Sequence, residues 1–351
     1  MPPRGRNCRG FTLVELMVAI ALGLLLLIAL VSLLVSTVNS RNELDKTTRQ
    51  IDNGRYALQV LTDNIQLAGF VGASSSTAFG DVAPVGCPAS LADLGYTATT
   101  SPGTSNVPYP VYRLDTAPTC IDHVVPGTAM LLVTRVSTTA TTVAAADKSE
   151  EYLQVSTCAT DTMPFAVASG ASTAAFALMQ KDCSSGNPAS LRKIVQQLYY
   201  VSSCNECGTD TIPTLKVAEL QKGAIQISPV VEGIENFQID FGVDMDNNGS
   251  PDCYTSNPGN PPATEVAAAV CPQTTPAYDW TQAATNWSNV MAVRIHVLGR
   301  QIDTSPGPLD TKKYDMGLGT GTVGPFNDAY KRTVYSSVVR LYNASGQRET
   351  P

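Results

Sequence analysis

From Leu16 to Ser40 the chain runs for 25 residues without an ionisable side chain, with Leu24 to Leu27 in an unbroken row. In hydrocarbon a helix satisfies its own backbone polar groups, and about 20 apolar residues suffice to cross a core of roughly 30 Å. The segment therefore predicts a membrane-spanning helix. Arg4, Arg6 and Arg9 precede it, so the positive-inside rule keeps that end cytoplasmic and sends the bulk of the chain outward. No small-residue cleavage site with a polar continuation follows the run, so the anchor is expected to stay.

The remainder is long enough, within a total of 351 residues, to bury a sizeable core in one or two units. Over the whole chain, 43% apolar and 15% charged residues are those of a folded protein. The formal charge is −7 and no basic run occurs beyond the three N-terminal arginines, which disfavours direct nucleic-acid binding because phosphate contacts need clustered Lys and Arg. Catalysis also lacks a convergent set. The two histidines, His123 and His296, are far apart in sequence, and no nucleophile elbow or metalloprotease helix motif is present.

Of nine cysteines, eight follow the apolar run: Cys87, Cys120, Cys158, Cys183, Cys204, Cys207, Cys253 and Cys271. An even number in an exported chain favours disulfides, with 105 formal pairings and loop-bracketing ones such as Cys253 with Cys271 the simplest. Cys204-Asn205-Glu206-Cys207 has the spacing of half a zinc site or of a redox pair. Without a second close pair or nearby His ligands, a structural disulfide is the expected role.

In front of the apolar run stands Gly10-Phe11-Thr12-Leu13-Val14-Glu15-Leu16. It resembles the cleavage and methylation motif of type IV prepilins and type II secretion pseudopilins. The resemblance implies a prepilin peptidase that cuts after Gly10 and methylates the new amino group on Phe11; losing Arg4, Arg6 and Arg9 would take the formal charge from −7 to −10. Glu15 is singled out by physics as well, since a carboxylate in an apolar helix costs about 2.5–3.5 kcal/mol unless paired. In the resembling family its partner is the N-terminal ammonium of a neighbouring subunit, an ion pair that sets filament register.

Beyond the membrane segment Leu44, Ile51, Leu58 and Ile65 recur every seven residues, with Gly54, Leu61 and Ala68 on the adjoining stripe, so the helix is expected to continue amphipathically until Gly69 and Gly72 stop it. Further on, Ile234, Phe237, Ile239, Phe241 and Val243, and then Val293, Ile295 and Val297, carry the alternation of half-buried strands. Stretches 74–127 and 137–187 are rich in Ser, Thr, Ala, Gly and Pro and read as long connections bearing many of the cysteines. Asn53–Leu58 followed by Ile65–Phe70 is similar to the corresponding helix of PilW-type minor pilins. So are Leu198–Val201, Val231–Phe237, Met291–Val297 and Val338–Asn343.

The expected fold is therefore α+β and type IV pilin-like, a long N-terminal helix packed on a large strand-rich head. The expected parts are a leader at 1–10, a transmembrane and filament-core helix at 11–40, its amphipathic continuation at 41–72 and a β-rich head at 73–351. The resemblance implies a minor pilin that primes pilus assembly near the tip, with other minor pilins, the major pilin, the prepilin peptidase, the inner-membrane assembly platform and a tip adhesin as partners. A tip pseudopilin of a type II secretion system shares the N-terminal motif, and a membrane-tethered extracytoplasmic hydrolase is the reading of another class.

Asp244-Met245-Asp246-Asn247-Asn248-Gly249-Ser250-Pro251-Asp252 follows a predicted strand and matches the start of the D-x-[DN]-x-[DN]-G calcium loop. Asp244, Asp246, Asn248, the Ser250 carbonyl and Asp252 would be the calcium ligands. Thr255 stands where the bidentate Glu of that pattern belongs. An Asp- and Asn-rich turn whose side chains cap their own backbone accounts for the same composition.

Overall fold

The structure, a computed structural model, describes residues 10, 12–72, 80–101, 105–272 and 274–348. By contacts the chain divides into two units, Met1–Arg49 and Gln50–Pro351. Helix α1 runs unbroken from Leu13 to Gln66. Every Leu, Ile, Val and Met side chain between Leu13 and Val38 is exposed, and a helix apolar all round is at home only in lipid or among other apolar helices.

Within the second unit, the stretch of α1 from Gln50 onward buries Gln50, Gly54, Ala57, Leu61 and Ile65. This line is the adjoining stripe, Gly54 and Leu61, with Ala68 buried beyond it, and it takes only Ile65 from the first stripe. Ile51 and Leu58 are only half-buried and Leu44 is exposed. The buried line advances by four, three, four and four and stays on one face. Gln50, the one polar member, donates from Nε2 to the carbonyls of Gly299 (2.8 Å) and Lys331 (3.2 Å). Gly54 is there for space: a Cβ would fall 2.2 Å from the Tyr335 ring. The helix ends before Gly69, whose φ of +73° suits glycine. Asn343 then donates to the carbonyls of Leu67 (3.3 Å) and Ala68 (3.1 Å).

The strands that follow are β1 Gly80–Val82, β2 Asn106–Pro108, β3 Val111–Leu114, β4 Met130–Val136, β5 Glu151–Val155, β6 Phe165–Ser169, β7 Leu191–Ser202, β8 Thr214–Gln221 and β9 Ala224–Glu232. After them come β10 Ile234–Val243, β11 Cys253–Thr255, β12 Val290–Arg300, β13 Tyr314–Asp315, β14 Thr322–Val323 and β15 Arg332–Arg340, with a short helix α2 at Ala283–Ser288 and α3 at Tyr342–Ser345. One sheet is ordered β11-β10-β12-β15 and is antiparallel throughout. A second sheet has seven strands centred on β7, which pairs with β4, β5 and β8, while β1 with β2 and β13 with β14 form two-stranded sheets. One core joins the two larger sheets to the helix: Leu61 and Ile65 meet Phe237, Ile239, Val293 and Ile295 from the first sheet and Leu131, Tyr199 and Leu215 from the second.

The α+β architecture is the expected one, with β10 and β12 where the alternating apolar stripes fall. The stretches read as long connections differ: 74–127 holds β1, β2 and β3, and 137–187 holds β5 and β6. These strands are three to five residues long, too short to stand out as alternation against a Ser- and Thr-rich background.

Four disulfides staple the head, Cys87–Cys120, Cys158–Cys183, Cys204–Cys207 and Cys253–Cys271.

Candidate functional site

At the start of α1, Thr12 is the N-cap and Glu15 the third helical residue. The Glu15 N–H donates to Thr12 Oγ1 (3.3 Å), while Glu15 Oε2 accepts from the Thr12 N–H and O–H, both at 2.9 Å. This is a capping box, in which each side chain satisfies a backbone donor that the first turn leaves orphaned. Glu15 therefore has a local structural partner as well as the intermolecular one that the resemblance implies. Gly10 is exposed, and Phe11, on the other side of the expected cleavage bond, lies outside the described residues.

The loop between β10 and β11 gathers three carboxylates. One oxygen each from Asp244, Asp246 and Asp252 lie within 4.8 Å of one another. Asp244 is fully buried. Its Oδ1 accepts from the Asn248 N–H (3.2 Å), and its Oδ2 accepts from the Gly249 N–H (2.9 Å) and from Arg348 Nη1 (3.3 Å). Asp252 accepts from the Met245 N–H (2.7 Å), and Asp246 from the Asn248 backbone and side-chain amides. Positive φ at Asn247 (64°) and Gly249 (84°) wraps the chain around this cluster. Asn248 Oδ1 instead accepts the Ser250 N–H at 2.8 Å, so of the five expected ligands the structure converges the three aspartates. The donor set is one of hard oxygens that suits calcium, and the Arg348 guanidinium partly neutralises it.

Sequence reasoning missed a polar line on the outer face of the first sheet. His296 places Nδ1 at 2.9 Å from Ser336 Oγ and Nε2 at 3.3 Å from Asp240 Oδ2. Asp240 also accepts the Leu318 N–H at 3.0 Å and lies 3.8 Å from Arg294. The order Asp-His-Ser is that of an acid, a base and a nucleophile. The backbone of Gly317 lies over it, so close that a Cβ there would fall 2.8 Å from both the Asp240 carboxylate and the imidazole, and the set fastens this loop to the sheet. Ser336 is accordingly expected not to react with a fluorophosphonate probe; labelling that disappears in His296→Ala would instead assign it hydrolytic chemistry.

Residues 198–343 match the family model described as type IV pilus-assembly protein W, and residues 5–31 match the prokaryotic N-terminal methylation motif. The chain matches a PilW-type pilin. No curated protein and no solved structure matches it. The first match runs from within β7 to α3, so it takes in the antiparallel β11-β10-β12-β15 sheet, the acidic loop and the Asn343 amide that closes the end of α1. The second takes in Gly10, the Thr12–Glu15 capping box and the first half of the apolar run. The matched family is one of structural, pilus-related proteins and is not a known enzyme family. The motif and the apolar helix together are consistent with a membrane-anchored pilin.

Proposed function

We propose that the protein is a minor pilin that helps to prime type IV pilus assembly at or near the filament tip, working by binding and not by catalysis. The observation that carries this reading is one chain that holds a methylation motif at 5–31, a PilW match at 198–343 and a helix apolar enough to enter a membrane or filament core. Before assembly the helix sits in the inner membrane with the head in the periplasm; afterwards the head is displayed on the pilus. Other minor pilins and the major pilin pack against the apolar helix, the assembly platform handles the membrane form, and a tip adhesin is a further partner. Deleting the gene should abolish or reduce surface pili and twitching while leaving protein secretion intact. Loss of secretion with pili unchanged would assign the protein to a type II pseudopilus.

Processing is hydrolysis between Gly10 and Phe11 with methylation of the Phe11 amine. Intact-mass measurement of the protein from its native host should give a chain that starts at methylated Phe11. A mass that retains residues 1–10, or one that starts beyond Ser40, would exclude it.

The acidic loop is proposed as a calcium site with Asp244, Asp246 and Asp252 as its carboxylates; the Ser250 carbonyl and Asn248 complete it once Asn248 Oδ1 releases the Ser250 N–H. Calcium should raise the melting temperature by mass action, about 2.7 kcal/mol of stabilisation at a hundredfold excess over Kd. Asp246 is exposed, so Asp246→Ala should leave the calcium-free melt unchanged and remove the response. An equal melting temperature in calcium and in chelator for the wild type would eliminate the site.

A further inference from the structure

Three of the four disulfides bracket long stretches, with sequence separations of 33, 25 and 18 residues. Cross-linking such loops removes much conformational freedom from the unfolded chain. Cys204–Cys207 closes a separation of only three, so it contributes the least by that route. Its surroundings are also different. Lys216, on β8, is buried with 7% exposure, and the only hydrogen-bond partner of its Nζ among the described residues is Cys207 Sγ, at 3.5 Å. A disulfide sulfur is a weak acceptor, so the one hydrogen bond of this buried ammonium serves it poorly, although the Asp210 carboxylate also feels its charge. His123, one of two histidines in the chain, holds a ring nitrogen within 4.8 Å of both sulfurs. Ser202 Oγ lies 3.6 Å from Cys204 Sγ and 3.8 Å from Cys207 Sγ. Cys204 is 4% exposed, whereas Cys207 reaches solvent.

We propose that Cys204–Cys207 is a thiol–disulfide exchange site, opened by a dithiol reductant, and that the buried Lys216 ammonium is the group that makes it reducible. A thiolate of the dithiol attacks the accessible Cys207 Sγ. The Cys204–Cys207 bond breaks, its electron pair leaves on Cys204 Sγ, and a mixed disulfide forms at Cys207. The second thiolate of the reagent then attacks its own sulfur in that mixed disulfide and expels Cys207 as thiolate. The protein disulfide has gained two electrons and the dithiol has become a cyclic disulfide. Lys216 acts in the last step and in the product: the departing Cys207 sulfur bears the charge that its Nζ already faces, and a better-stabilised thiolate is both the faster leaving group and the more populated product.

The test is a titration of the full-length protein in detergent micelles with buffers of reduced and oxidised dithiothreitol. Free thiols are alkylated and each cysteine pair is quantified by mass spectrometry. Cys204 and Cys207 should become alkylated in buffers that leave the other three pairs closed. In Lys216→Met the equilibrium constant for opening should fall roughly tenfold, the scale of one charge-assisted hydrogen bond, and Lys216→Arg should retain most of the wild-type value. If the wild-type pair opens together with the others or after them, or if a folded Lys216→Met protein opens with an unchanged constant, the proposal is wrong. Because the wild-type comparison among four pairs stands alone, a variant that fails to fold leaves the outcome decided.

Discussion

Glu15→Gln is expected to enter the membrane normally and yet to be excluded from filaments. The glutamine keeps an oxygen that can accept the Thr12 N–H, so the capping box that starts α1 survives, while the negative charge is lost. An apolar environment makes that charge costly when alone, about 2.5–3.5 kcal/mol, and correspondingly strong as one half of an ion pair with a neighbouring subunit's N-terminal ammonium. Glu15→Ala removes the charge and the cap together, and the cap adds a loss of about 1 kcal/mol at the first turn. Membrane fractionation and immunodetection in sheared pili separate the steps: both variants should fractionate with the membrane, and neither should be recovered in pili at more than a few per cent of wild type, roughly the effect of a 2–3 kcal/mol loss. Filaments that take up Glu15→Gln as well as wild type would reduce Glu15 to its capping role and dispose of the ion pair.

The second large effect is expected inside the head. Arg332, 1% exposed at its side chain, donates to Glu235 on β10, to Asp310 (3.1 Å) and to both oxygens of Asp328 (2.7 Å each). Its guanidinium carbon also stands 3.8 Å from the centre of the Phe326 ring. Asp310 and Asp328 belong to the long segment between β12 and β15, so one buried cation pins that segment to the sheet. Arg332→Met leaves the three carboxylates facing one another, with Arg300 still 3.3 Å from Glu235. Stranding buried charges in this way costs about 3–5 kcal/mol, or roughly 10 °C in the melt of a domain this size. Hydrogen bonds from Arg332 hold the Asp328 carboxyl below its ordinary range. A depressed carboxyl stabilises the fold above its unfolded value, near 4, and that contribution is lost as pH falls through the folded value. The gap between wild type and Arg332→Met in thermal melts should therefore be wide at pH 7 and narrower at pH 3. Equal melting temperatures at pH 7 would show that the cluster holds nothing together.

What the sequence made legible follows from where one physical constraint acts alone. The apolar run needs no neighbour to be read, because only lipid or other apolar helices tolerate it. β10 and β12 were legible because one face of each is apolar along its length, although the structure buries both faces and they are not the half-buried strands expected. The choice of helical stripe was not, since Ile51 and Leu58 are as apolar as Leu61, and only the presence of Tyr335, Gly299 and Lys331 decides which side is covered. The polar line of Asp240, His296 and Ser336 is assembled by strand register across separations of 56 and 40 residues, and no local pattern announces it. The surroundings of Cys204 and Cys207 were hidden for the same reason: Lys216 approaches from the next strand and His123 from the loop ahead of β4. In the acidic loop the spacing located the carboxylates, but the turn of Asn248 back to its own backbone is a matter of rotamers.

The disulfides carry a consequence for biogenesis. Taken in chain order, the eight cysteines from Cys87 to Cys271 are joined as four consecutive pairs, first to second, third to fourth and so on. No bridge encloses or interleaves with another. A head delivered N-terminus first across a membrane would present its cysteines in that same order, and an oxidant that simply couples the two most recent arrivals reaches the native connectivity among the 105 combinations. No pair has to wait for a later cysteine, and no shuffling by an isomerase is needed before the last strand, β15, is laid down beside β12.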